Sequence, residues 1–248
     1  MSEVSAVLAE LGISSPWLNV PGFLGYLPPA KLELGVPLGA FLPPPLSVIA
    51  RSPASSRTSI PFAGGMLIRS GLPNPGLAEA MRQYGTRWGR LEAPLWLGLL
   101  PRDATDAQEM SARADELECA VTFEMLLPRG ATVQKRADIL AAAQGEKPFF
   151  VELPLDEVSR EAVEVIRKSS ARGIVVSAPR GTLLQGDQWV SGRLYGPALH
   201  PQMVRVVKDM VQAGLTVIAG CGVSTAAQGE ALLQLGVSAI QFDIAWWG

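Results

Sequence analysis

The sequence contains one histidine, His200, and two cysteines, Cys119 and Cys221, among 248 residues. A single histidine excludes a multi-histidine metal site and a pair of catalytic histidines. The two cysteines have no metal-ligand spacing and give no disulfide framework, so a reducing cytoplasm is the expected setting. Charge of one sign is not gathered into runs. The 21 Lys and Arg residues against 23 Asp and Glu leave a net charge of -2, which offers no footprint for nucleic acid or an anionic membrane. Long hydrophobic runs are also missing, since Pro, Gly or charge interrupts each well before the roughly 18 residues a spanning helix needs. No basic segment precedes an apolar one in the manner of a secretory signal.

What is present is apolar content, 48% of the chain, arranged in short runs separated by amphipathic stretches. Eight runs read as strands: Trp17–Val20, Leu38–Leu42, Leu95–Leu99, Cys119–Met125, Phe149–Leu153, Gly173–Ser177, Thr216–Ala219 and Ala239–Phe242. They are short and uniformly apolar, as parallel strands buried on both faces are. Helical patterns lie between them at Leu77–Trp88, Thr105–Leu117, Thr132–Ala143, Asp156–Ala171, Pro201–Ala213 and Thr225–Leu235, with polar starts and glycine stops. Strand–helix alternation implies a parallel sheet.

Eight strands in about 250 residues predict a single domain over 1–248, a closed (β/α)8 TIM barrel, with a doubly wound open sheet as the alternative. The Pro43-Pro44-Pro45 run and the aperiodic segment Ser47–Ala63 read as a long loop over the functional face. No eighth outer helix follows the last strand. The apolar face of Ser2–Leu11, or Trp246 and Trp247, is expected either to cover the groove this leaves or to contact a second copy, so a homo-oligomer is expected.

Three stretches, in order, carry a family pattern. Met66–Gly76, MLIRSGLPNPG, resembles the loop after the second strand of dihydroorotate dehydrogenases. Gly192–Pro201, GRLYGPALHP, resembles that family's GGLSGPA turn. Val217–Ala245 resembles its closing phosphate turn, helix and last strand. The resemblance runs from about Asn19 to the end. It implies a barrel with its site at the C-terminal strand ends and FMN across the mouth, its phosphate on glycine-rich turns. It further implies two lysines at the flavin, asparagines on the substrate and a Cys or Ser base, with hydride passing to the flavin.

The side chains at those positions differ. Pro44 and Glu152 stand where the resemblance implies the lysines, Ile68 and Glu124 where it implies substrate asparagines, and Leu127 at the base. The sixth-strand asparagine falls at Ala178 or Ser177. Arg193 and Tyr195 replace Gly and Ser, Cys221 replaces a glycine between Gly220 and Gly222, and Asp243 stands where the last strand's phosphate glycine is implied. Loss of a base slows proton abstraction by about 10² to 10⁴. A carboxylate about 4 Å from a phosphate costs about 4 kcal/mol per charge pair at an effective dielectric near 20.

The pattern therefore predicts a protein that has lost FMN binding and dihydroorotate oxidation and keeps a non-catalytic, small-molecule-binding or assembly role. The alternative is a divergent FMN-dependent oxidoreductase. An enzyme of another class, with Glu124 or Glu152 as base, has no motif beyond the paired carboxylates.

The expected mouth residues are Arg69, Asn74, Glu124, Glu152, Ser177, Arg193, Tyr195 and Asp243, with Arg180 within reach and Gly220, Cys221 and Gly222 as a vestigial phosphate turn. Three readings of this set stay open. It is an Arg–carboxylate network filling the flavin space, a polar pocket for a cationic or zwitterionic molecule, or a divalent-cation site on Glu124, Glu152 and Asp243. His200 reads as an exposed helix-start residue. Cys221 reads either as a tolerated small residue or as a helix-start thiol of lowered pKa. Tyr195 and Trp189 read as lid packing, and Tyr84 and Trp88 as helix-face core.

Overall fold

The computed structural model describes residues 8–29, 36–55 and 58–242. Seven of the eight expected strands form, as one curled parallel sheet. They are β1 (Trp17–Asn19), β4 (Leu95–Leu99), β5 (Ala120–Leu126), β6 (Phe149–Pro154), β7 (Gly173–Ser177), β10 (Val217–Gly220) and β11 (Ala239–Phe242). Their order is β1-β11-β10-β7-β6-β5-β4. Almost every residue of these strands is buried, which explains why they read as continuous apolar runs rather than alternating ones.

The closed eight-stranded barrel is not what forms. Leu38–Leu42 makes only isolated bridges, Ala40 to Leu18 on one sheet edge and Phe41 to Leu95 on the other. Beyond it, Asn19 replaces the ladder with its own side chain. Its amide donates to Leu42 O at 2.7 Å, and its Oδ1 accepts Leu42 N–H at 2.9 Å. Pro43, Pro44 and Pro45 then supply no N–H, so a ladder cannot continue through them. Past the prolines, single bonds resume where Leu46 N reaches Gly98 O at 2.8 Å and Leu100 N reaches Leu46 O at 2.7 Å.

A second sheet was not foreseen. The strands β2 (Thr58–Phe62), β3 (Gly65–Arg69), β8 (Arg180–Gln185) and β9 (Gln188–Tyr195) form an antiparallel sheet in the order β2-β3-β9-β8. Thus the last part of the expected Ser47–Ala63 loop, and the first residues of Met66–Gly76 and of Gly192–Pro201, are strand. Each hairpin leaves the parallel sheet at a C-terminal strand end, one after the Leu46 bridge and one after β7. They join where Met66, Leu67 and Ile68 pair with Tyr195, Leu194 and Arg193.

The helices are α1 (Leu77–Trp88), α2 (Ala104–Asp115), α3 (Val133–Ala142), α4 (Arg160–Arg167), α5 (His200–Gln212) and α6 (Ala226–Gln234). Four start on a side chain that accepts the N–H three residues on: Asp103, Thr132, Ser159 and Thr225, each worth about 1 kcal/mol. Asp103, not Thr105, therefore caps α2. The helix expected over Asp156–Ala171 is shorter because Ser159 starts it. Gly214 and Gly236 stop α5 and α6 with φ of 75° and 98°, a region costly for any residue with a Cβ.

Two apolar layers result. The outer face of the parallel sheet packs on the helices, where Tyr84 and Trp88 are partly and fully buried as expected. The inner face holds Leu18, Ala40, Trp96, Phe150, Val175, Ile218 and Ala239, and Leu11 and Ile13 enter this cluster. Leu11 is thus part of the inner plug and does not cover an outer groove. Residues 2–7, Asp243, Trp246 and Trp247 lie outside the described residues. No helix among the described residues is long and apolar enough to cross a membrane.

Candidate functional site

The period of two along a strand places alternate residues on one face. It carries Glu124 on β5, Glu152 on β6, Ser177 on β7 and Gln241 on β11 to the inner side, near the C-terminal ends where parallel sheets bind ligands. Arg193 and Tyr195 come to the same place from β9. Five strands meet there, although their side chains are separated by up to 117 residues.

Glu152, 5% exposed, is held by two donors. Arg193 Nη1 donates to its Oε1 at 2.5 Å and Ser177 Oγ donates to the same oxygen at 2.7 Å. Arg193 Nη1 also stands 3.3 Å from Ser177 Oγ. Burial opposes the charge on Arg193, yet the Glu152 carboxylate beside it raises its pKa above the ordinary guanidinium value. Glu152 is therefore an ion-pair partner pinned in place, not a loose base.

Glu124 is fully buried. Gln241 Nε2 donates to its Oε1, while its Oε2 has no hydrogen-bond partner. Burial, and then the Glu152 charge, push its pKa well above the ordinary carboxyl value, against smaller opposing effects of Gln241 and Arg193. Burial and the Glu152 charge thus favour the protonated, uncharged form of Glu124, which weighs against its use as a base or as a cation ligand.

The space between these groups is small. A cavity of about 30 Å³ is lined by Val20, Pro45, Leu72, Glu152, Arg193 and Tyr195, among others. Tyr195 is buried and packs edge-on against Phe23 at 5.1 Å. Trp189, by contrast, is 72% exposed near the β8–β9 turn and packs no lid.

The remaining expected residues separate into different roles. Arg69 ends β3 and lines a shallower recess with Arg51, Arg180 and Arg193, and it has no carboxylate partner among the described residues. Asn74 is buried and organises its own loop. Its Oδ1 accepts from Ser47 N, Ser47 Oγ and Gly76 N at 3.0–3.1 Å. Leu127, at the implied base position, is an apolar wall residue. Asp243 lies outside the described residues, and no group of three or more His, Cys, Asp or Glu among the described residues is placed to hold a metal ion.

The turn Gly220–Gly222 is filled by its own chain. A Cβ on Gly220 would come within 2.9 Å of Gln241 Oε1, and one on Gly222 within 2.9 Å of His200 N. His200 is half-buried rather than exposed, with Nδ1 3.1 Å from Gly222 O. Cys221 is completely buried. At the start of α6 the Gln228 amide closes a capping box, accepting Ser224 N–H at 2.9 Å while Thr225 Oγ1 accepts Gln228 N–H. Two donors that could face a phosphate are thus used internally.

Gln241 was missed by the sequence reading, although a lone amide in the otherwise apolar AIQF strand is a readable sign of an inward polar contact. The cationic wall formed by Arg51, Arg129, Lys135 and Arg136 was missed as well, because Arg51 is remote in the chain from the other three and none of them lies in a motif. No protein-family model matches this chain, and no curated protein matches it.

Proposed function

We propose that the chain is a dihydroorotate-dehydrogenase-like α/β protein that has lost FMN binding and dihydroorotate oxidation and works as a non-catalytic small-molecule-binding protein. The observation that carries the loss of flavin binding is the Arg193–Glu152–Ser177 cluster in the mouth. It leaves about 30 Å³, whereas ligand pockets usually offer roughly 300 Å³ or more.

The donor set does not fit flavin. Glu152 and Pro44 offer no positive charge for a reduced flavin, and Leu127 offers no base. Glu124 is buried, with its pKa pushed up, and is tied to Gln241. The Arg–carboxylate network, one of the three sequence readings, is supported through Arg193 and Glu152 but without Arg69.

The test is a visible spectrum of the purified full chain, followed by FMN titration. Colourless protein that leaves the flavin spectrum unchanged is expected. Stoichiometric flavin, in the protein as purified or after titration, overturns the proposal in favour of a divergent oxidoreductase.

A further inference from the structure

Next to the filled mouth lies a larger cavity of about 350 Å³, over the C-terminal ends of β4, β5 and β6. Seven Arg and Lys side chains line it, against two Glu. The whole chain has 21 basic and 23 acidic residues, so one third of the positive charge converges on a single recess. That is not the average surface of a protein with net charge -2.

The local carboxylates do not neutralise this wall. Glu152 is taken by Arg193, and Glu157 by Arg136 at 2.6 Å. Arg102 pairs outside the recess with Asp106 at 2.7 Å. Arg51, Arg129, Lys135 and Arg180 have no ion-pair partner among the described residues.

Arg180 still reaches solvent, but its guanidinium pKa is lowered, first by desolvation and then by the neighbouring charges of Arg193 and Arg129. Asp156 and Glu157 oppose this only in part. A group of cations that raise one another's energy is stabilised by a multivalent anion.

The shape narrows the ligand further. Between the cations the wall is apolar, with Leu72, Leu100, Leu126 and Leu127. A second recess of about 460 Å³ continues from it, sharing Arg129, Arg136, Glu157 and Arg180. Guanidinium forks match tetrahedral phosphate oxygens two at a time. A cation, the ligand class suggested by the carboxylates in the sequence, would meet an excess of like charge here.

We propose that this recess binds a phosphorylated small molecule with a compact apolar body, its phosphate held between Arg129 and Arg180. The proposal deepens the small-molecule-binding reading and depends on it only for the absence of flavin chemistry.

The experiment titrates inorganic pyrophosphate into the full chain by calorimetry at about 0.01 M ionic strength, where screening is weak. Saturable binding is expected. It should weaken at least about tenfold in Arg129→Gln/Arg180→Gln, both exposed positions, and stay unchanged in Arg87→Gln on α1. No saturable binding, or full affinity in the double variant, overturns the proposal, as does citrate binding more tightly than pyrophosphate. A yellow protein that still binds pyrophosphate removes the flavin-free reading alone. A colourless protein that does not bind it removes this site alone.

Discussion

Gln241 on β11 donates its side-chain amide to Glu124 on β5 across the inner face of the curled sheet. The pair joins two strands that are not neighbours in the sheet order. One acceptor of Glu124, Oε2, stays without a partner, and burial together with the Glu152 charge favours protonation of the carboxyl.

That protonation has a sign in the stability curve. The folded pKa of Glu124 is raised above its ordinary 4.5. The native state therefore holds a proton that the unfolded chain releases. The contribution is complete below pH 4.5 and is lost as the pH rises toward the folded value, at up to about 1.4 kcal/mol per pH unit. Glu124→Gln, which keeps the shape of the neutral acid, should remove this slope. Urea unfolding at pH 5 and pH 8 should show a smaller loss for the variant than for the parent chain. An identical loss in both would mean that Glu124 is ionised in the fold.

The Arg193–Glu152 pair predicts an asymmetric mutational response. Arg193→Leu leaves the Glu152 carboxylate buried with only Ser177 as donor. Breaking a buried pair costs about 3–5 kcal/mol, and the lower end applies because Arg193 keeps 19% of its side chain in solvent. The double change Arg193→Leu/Glu152→Leu should recover most of that loss, since no charge is left stranded. Denaturant midpoints of the three proteins decide it. A double variant as unstable as the single one would mean that the pair's shape, not its charge, holds the mouth.

The sequence made the parallel sheet legible because each strand is buried on both faces and its apolar run survives alone. Leu38–Leu42 has the same apolar character, but besides the three prolines that follow it, the distant Asn19 amide takes both backbone groups of Leu42. The antiparallel sheet is illegible because the glycines of Gly65–Arg69 and Gln188–Tyr195 make each read as a turn in isolation, although each forms a hairpin with the strand beside it in the chain and the two hairpins then pair with each other. Glu152, Ser177 and Arg193 were each singled out from the sequence, yet their mutual bonds follow from the β3–β9 register, which no local pattern contains. The cationic recess is further still from any motif, since it gathers side chains from many loops.

Gly229 in α6 tests the contact between that helix and β1. A methyl placed on it would fall inside the Trp17 ring, which is itself 6% exposed. Alanine is worth up to about 1 kcal/mol more than glycine in a helix interior, while forcing a packed ring aside costs about 1–3 kcal/mol. Gly229→Ala should therefore destabilise by about 1 kcal/mol, despite its better propensity. A thermal melt that rises instead would mean that α6 shifts freely against the sheet.

Asn74 separates a loop-building role from a ligand-binding one. Its Oδ1 accepts Ser47 N–H at 3.1 Å and Gly76 N–H at 3.0 Å, and its Nδ2 donates to Leu72 O at 3.1 Å. Asn74→Ala leaves two buried backbone donors without that acceptor, for a loss of about 2–3 kcal/mol. Asn74→Asp keeps the acceptor and loses only the Leu72 bond, so its cost should be smaller. The Asn74 side chain bonds no cation of the recess, and its backbone pairing with Arg51 survives both changes. Pyrophosphate affinity per folded molecule should stay within about twofold of the parent in both variants, a difference of about 0.4 kcal/mol. A large loss of affinity in Asn74→Asp, with stability retained, would make Asn74 a ligand contact.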